Sequence, residues 1–73
     1  MSRLPETTAK HLARALRKAG FFDDHQEGSH LTLRHGDGRR VTVPIHPGAI
    51  KRHLLKRIMK QAGLSEDEFR ELL

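Results

Sequence analysis

The chain has 73 residues and contains no cysteine, no tryptophan and no tyrosine. The lack of cysteine excludes a disulfide framework and cysteine-ligated zinc, and no apolar run approaches the roughly 20 residues that a membrane-spanning helix needs. We therefore expect one small cytoplasmic domain over residues 1–73 that folds by packing alone, with no membrane attachment and no signal peptide.

The charge of the chain is unevenly distributed. Residues 1–64 hold thirteen Lys and Arg against five Asp and Glu, a balance of +8, whereas residues 65–73 have a balance of −3. A basic body of this size favours a polyanionic partner such as RNA or DNA, although excess charge can also serve solubility alone. With only three Phe as aromatic residues, the sequence gives no sign of the stacking surfaces used by single-strand-binding proteins.

A first helix is predicted at about residues 5–19. Pro5 suits its first turn, where a missing N–H costs nothing, and Gly20 suits the stop after its last turn. Four apolar residues recur at helical spacing and predict the face that packs on the core: Ala9, Leu12, Ala13 and Leu16.

Three short strands are predicted next, at residues 21–26, 29–35 and 39–45, joined by turns at 27–28 and 36–38. Side chains alternate between the two faces of a strand. The second strand therefore has Leu31 and Leu33 on one face. Its opposite face carries His30, Thr32 and Arg34.

The register of the second hairpin follows from its loop. A three-residue loop at 36–38 opposes Leu33 to Val41, whereas a two-residue turn would mix apolar and polar faces. The favoured register also opposes Arg34 to Arg40, Thr32 to Thr42 and His30 to Pro44. Two opposed guanidinium groups repel each other, so this arrangement indicates either a phosphate held between them or two side chains splayed into water.

The register of the first hairpin is predicted from a two-residue turn at Glu27-Gly28. This turn opposes His25 to His30, which places two imidazoles on one face, and it opposes Phe22 to Leu33. The same register sets Asp24 against Leu31, a pairing of a carboxylate with an apolar side chain.

A second helix is predicted at about residues 49–62, followed by Gly63 as its stop. Ser65 and Glu68 form the pattern of a capping box that opens a short final helix. The expected core residues of the second helix are Ile50, Leu54, Leu55, Ile58 and Met59. The other face of the second helix carries Lys51, Arg52, Lys56, Arg57 and Lys60. The order predicts an α+β fold in which helices cover one face of a three-stranded sheet and leave the other open.

Four segments of the chain resemble the HicA toxins of bacterial type II toxin–antitoxin systems. They are Gly20-Phe21, Gly28-Ser29-His30, GDGRRVTVP at 36–44 and IMKQAGLS at 58–65. The resemblance implies a double-stranded-RNA-binding-domain-like α-β-β-β-α fold, here with a short C-terminal helix. It also implies an mRNA-cleaving activity that depends on the motif histidine, His30, and a HicB-like antitoxin that blocks the active site.

The candidate site combines this resemblance with the chemistry of the residues. Histidine can accept and donate a proton near neutral pH, so His30 is the expected catalytic base or proton shuttle. Arg34 and Arg40 are expected to hold phosphate, since a guanidinium can pair with it bidentately. Further RNA contacts are expected from Thr32, Ser29 and Lys51, and His25 is a possible auxiliary group. His25 stands three residues before the motif, where many members of the family carry Arg.

Other functions remain open at this level. The main alternative is a non-catalytic module that binds structured RNA, and a DNA-binding adaptor is a third possibility. No cofactor is expected. A metal site is not expected either, because His30 and His35 face opposite sides of one strand and no pair of histidines shares one helix face.

Overall fold

The computed structural model describes residues 5–73, so residues 1–4 of the predicted domain lie outside the described residues. Three antiparallel strands form one sheet in the order β1-β2-β3. The elements in chain order are α1 (Ala9–Lys18), β1 (Phe21–Glu27), β2 (His30–His35), β3 (Arg40–Pro44), α2 (Arg52–Ala62) and α3 (Glu66–Leu72). This order confirms the predicted α+β fold and its short C-terminal helix.

The helix α1 begins four residues later than predicted. Thr8 is its N-cap, and the Thr8 side chain accepts a hydrogen bond from the backbone N–H of His11. The residues before the cap are extended instead, and Thr7 accepts a hydrogen bond from the backbone N–H of Ile50 at 2.8 Å. Pro5 therefore precedes the helix rather than occupying its first turn, because a threonine hydroxyl satisfies the free backbone N–H groups that a helix start exposes.

The core lies on one side of the sheet. The apolar residues of β2 and β3 that face the helices are buried, as are the apolar faces of α1 and α2 and the Phe69 side chain of α3. The largest fully buried side chains are Phe69, Leu12, Leu16, Leu33, Leu55, Ile58, Val41 and Val43. The helices α1 and α2 therefore pack on the same face of the sheet, and α3 packs on α1 and adds Phe69 to the same core. The other face of the sheet has no helical cover.

The register of the β2–β3 hairpin is the predicted one. Leu33 pairs with Val41, Arg34 pairs with Arg40, and His30 pairs with Pro44. Gly38 at the end of the loop has φ +101°, a conformation that residues with a Cβ rarely adopt. The three-residue loop thus fixes a pairing that keeps the apolar residues of both strands on the core side.

The predicted register of the β1–β2 hairpin is wrong. The turn is Gly28-Ser29, so Glu27 pairs with His30, and an extra residue at Asp24 forms a β-bulge between Asp23 and His25. The bulge exchanges the faces of the residues before it. Phe21 consequently lies in the core at 3% exposure, whereas Phe22 is 51% exposed on the opposite face.

The helix α2 also begins later than predicted, at Arg52, with Lys51 as its N-cap. Ile50 still reaches the core, but from the extended segment that precedes the helix. Gly63 ends α2 in the left-handed conformation, and Ser65 and Glu68 form the predicted capping box of α3. Within residues 5–73, none of the helices has the length and apolar character needed to cross a lipid bilayer.

Candidate nucleic-acid interface and active site

The face of the sheet that carries no helix presents nine side chains in three rows. Each row crosses β1, β2 and β3, and neighbouring rows along a strand are about 7 Å apart. The rows follow from the strand pairing and are Glu27–His30–Pro44, His25–Thr32–Thr42 and Phe22–Arg34–Arg40. We call these nine residues the open face.

His30 lies in the middle of the row at the turn end of the open face, between Glu27 and Pro44. Gly28 has φ +59° at the first central position of the two-residue turn, where glycine is favoured in hairpins of type II′, and His30 is the first residue of β2 after it. The imidazole is exposed. Among residues 5–73, no side chain forms a hydrogen bond or ion pair with it. The turn thus holds an unpaired imidazole at the start of the central strand β2.

His25 shares the open face with His30, but not by the predicted pairing. It pairs with Thr32, which places it diagonally across from His30 rather than directly opposite. Its Nε2 lies 3.8 Å from Oε1 of Glu27. Residues diagonally related across two strands remain within reach of long side chains, so the two imidazoles and one carboxylate share the turn end of the β1–β2 hairpin.

Glu27 is a third member of this group, and the sequence does not predict it there. The sequence predicts Glu27 in the turn, whereas the structure places it in β1 directly opposite His30. The sequence contained a signal for this, because Gly-Ser is a favoured dipeptide for two-residue hairpin turns. Glu27 brings a negative charge to the otherwise basic open face, next to the group expected to transfer protons.

The far row of the open face carries the two predicted phosphate ligands. Arg34 and Arg40 pair directly across β2 and β3, as predicted, and both are exposed. Within the described part of the chain, neither guanidinium has a hydrogen bond or a carboxylate partner. Two unpaired guanidinium groups held side by side can together bind one or more phosphate groups. Phe22 lies in the same row on the other side of Arg34.

The remaining predicted RNA contacts are less uniform. Ser29 is exposed in the turn beside His30, and its carbonyl oxygen accepts a hydrogen bond from the backbone N–H of Ile45. Thr32 lies in the central row but is only 7% exposed. Lys51 is exposed, yet it caps α2 and so belongs to the helical layer rather than to the open face.

His35 occupies the opposite side of β2 from His30. Its ring packs edge-on against Phe21 with a centroid distance of 5.1 Å, and its Nδ1 accepts a hydrogen bond from the backbone N–H of Asp37. Over residues 5–73, no three side chains of His, Asp or Glu lie close enough together to hold a metal ion.

One comparison with known proteins identifies a family. The family model of the HicA toxins of bacterial toxin–antitoxin systems matches residues 9–64. The match extends from the first residue of α1 to the segment after α2 and includes all nine residues of the open face. No curated protein matches the chain.

Proposed function

The chain belongs to the HicA toxin family and is the toxin of a toxin–antitoxin system, and we propose that it is an mRNA interferase with His30 as its catalytic base. The observation that carries this proposal is the exposed imidazole of His30 on the same open face as two unpaired guanidinium groups. An endoribonuclease needs a proton acceptor beside a surface that binds phosphate, and the open face supplies both.

The proposed reaction uses the 2′-hydroxyl of the RNA as its nucleophile. His30 accepts the 2′-hydroxyl proton, and the oxygen attacks the adjacent phosphorus atom. The bond from phosphorus to the 5′-oxygen breaks, and a proton is delivered to that leaving oxygen. His25 lies diagonally across from His30 on the open face and is the candidate proton donor. In the alternative, His30 performs both transfers in turn.

Arg34 and Arg40 have a distinct task in this proposal. Arg34 lies four residues along β2 from His30, which corresponds to about 13 Å between their Cα atoms. Arg40 lies directly beside Arg34 on β3. At this distance the pair is placed to hold a phosphate one or two nucleotides away from the one that is attacked. Ser29, beside His30, lies closer to the reacting phosphate, and Thr32 lies between His30 and Arg34. Lys51 would contact RNA that extends to the helical layer.

The test is RNA cleavage by the pure protein and by His30→Ala, with His53→Ala as a matched control because His53 is exposed on α2. We expect His30→Ala to lower the cleavage rate about 10²- to 10⁴-fold while RNA binding is retained. The control should cleave normally, and cleavage should persist in excess EDTA. Cleavage by His30→Ala at the normal rate would contradict the assignment.

The second candidate function is a module that binds RNA without cutting it. The unpaired Arg34 and Arg40 support this function as well as they support the first. The same experiment separates the two functions, because the unsubstituted protein would bind RNA without cleaving it if it were only a binding module. We further propose that the antitoxin of this system is HicB-like and inhibits the protein by covering the open face.

A further inference from the structure

Phe22 occupies a position on the open face that its residue type does not explain. Its ring is 51% exposed. Scattered exposed apolar residues are common and need no explanation by themselves. The position of Phe22 is the informative feature, since it pairs with Arg34, which in turn pairs with Arg40.

The bulge at Asp24 is the reason that Phe22 faces outward. Without the extra residue, the register set by the Gly28-Ser29 turn would continue, and Phe22 would pair with His35 on the core side. A one-residue slip moves a side chain from one face of a sheet to the other. The bulge thus buries Phe21 and presents Phe22 beside two unpaired guanidinium groups.

We propose that Phe22 is a stacking surface for an unpaired nucleobase of the RNA whose phosphate is held by Arg34 and Arg40. Directly paired residues have Cβ atoms about 4.5–5.5 Å apart. A ring and a guanidinium at that spacing can engage the base and the phosphate of one single-stranded segment. Within residues 5–73, Arg34 does not stack on the Phe22 ring, so both groups are available to a ligand.

This inference rests on the proposed RNA-cleaving function. It narrows the substrate of that function to RNA that is single-stranded where it crosses the row of Phe22, Arg34 and Arg40. Bases within a duplex are already stacked on their neighbours, whereas an unpaired base offers a free face to an aromatic ring. Phe22 would therefore be a positioning residue. It would hold the RNA in place along the sheet, about 13 Å from the row that contains His30.

The first test compares Phe22→Leu with Leu73→Ala, since Leu73 is the other large apolar side chain exposed in the described chain, at 47%. Leucine keeps the apolar bulk of position 22 but has no aromatic face. Binding is measured by anisotropy with a short labelled single-stranded RNA in a His30→Ala background, in which cleavage is expected to be much slower. We expect affinity to fall about 5- to 140-fold for Phe22→Leu and to stay unchanged for Leu73→Ala.

The salt dependence of binding separates stacking from charge. Phe22→Leu should leave the slope of log affinity against log salt unchanged, because it removes no phosphate contact. It should also leave binding to an abasic oligonucleotide of the same length unchanged. An equal loss of affinity for the RNA and the abasic strand would overturn the proposal.

The second test uses the absence of tryptophan and tyrosine from the chain. Phe22→Trp introduces a single indole at the proposed contact, whose fluorescence a stacked base should quench. We expect quenching by single-stranded RNA and none by the abasic strand. RNA binding by anisotropy without quenching would overturn the stacking proposal alone. If the protein without substitutions does not bind RNA, the proposed function is wrong as well.

A protein partner is the competing occupant of this row. If Phe22→Leu weakens antitoxin binding and leaves RNA affinity unchanged, Phe22 is a protein contact and the stacking proposal is wrong. Unchanged thermal unfolding of Phe22→Leu is expected, because the ring is exposed.

Discussion

Arg39 donates a hydrogen bond from Nη1 to the carbonyl oxygen of Ala62, the last residue of α2. The same guanidinium donates from Nε to Oδ2 of Asp37 at 2.8 Å and lies 5.2 Å above the centre of the Phe21 ring. One side chain thus joins the β2–β3 loop, β1 and the end of α2. It positions the helical layer against the sheet whose other side is the open face.

We predict that Arg39→Ala lowers the free energy of unfolding by about 1–3 kcal/mol, because it leaves the Ala62 carbonyl without this donor and exposes Phe21. Arg40→Ala is the matched control, since its guanidinium is exposed and has no protein partner in the described chain. Its effect should stay within about 0.5 kcal/mol. Urea unfolding measures both, and equal destabilisation would show that Arg39 does not join the layers.

Gly20 should not tolerate a side chain. Its φ is +102°, and a Cβ there would lie 2.8 Å from Nε2 of His35. Gly38→Ala is the control, because Gly38 has φ +101° but open space around it. Backbone strain of this kind costs about 1–3 kcal/mol, so we expect Gly20→Ala to be more destabilising than Gly38→Ala by the additional cost of displacing His35. Equal losses in thermal unfolding would mean that the His35 ring moves freely.

Arg34→Ala and Arg40→Ala should each weaken RNA binding across different sequences, since phosphate contacts carry little sequence information. Each lost contact should lower the slope of log affinity against log salt by about 0.7 for a single strand. Arg14→Ala on α1 provides an exposed control outside the open face. If the slope falls only for substitutions of Lys51 or Lys56, the RNA lies along α2 instead.

The Arg17–Asp23 ion pair makes the free energy of unfolding depend on pH in the acidic range. Hydrogen bonds from the Arg17 guanidinium, 2.8 and 2.9 Å long, hold the pKa of Asp23 below its ordinary value. The unfolded chain lacks this contact and binds the proton at higher pH. The stabilisation is therefore present above the ordinary Asp pKa of about 3.9 and is lost as pH falls through the lowered folded pKa.

Asp23→Asn should accordingly show a weaker loss of unfolding free energy below about pH 4 than the unsubstituted protein. Arg17→Met should show the same weakened acid dependence, since it removes the other partner of the pair. Urea unfolding over a pH series measures this. An acid dependence that is identical in all three proteins would place the titrating group elsewhere.

The antitoxin should protect the open face. A balance of +8 over residues 1–64 attracts an acidic partner and speeds association. We expect backbone amides near His30, Arg34 and Arg40 to exchange more slowly with solvent in the complex, as measured by hydrogen–deuterium exchange. Protection limited to α1 and α3 would indicate inhibition from a distance.

Local sequence rules predicted the parts of the fold that depend on neighbouring residues. The loop at 36–38 determined the β2–β3 register because its length and the alternation of Leu31 and Leu33 allowed only one pairing with all apolar residues on one side. Gly63 and the capping box of Ser65 with Glu68 are likewise local devices. They fixed the end of α2 and the start of α3.

Tertiary structure decided the parts that depend on an irregular residue. The bulge at Asp24 is such a residue, and it occurs together with the burial of Phe21 and the ion pair of Asp23 with Arg17. His30, Arg34 and Arg40 could be assigned to one face from alternation alone. The outward position of Phe22 could not, because the bulge reverses the faces of the residues before it. The pairing of Glu27 with His30 and of His25 with Thr32 depends instead on the position of the turn at Gly28-Ser29.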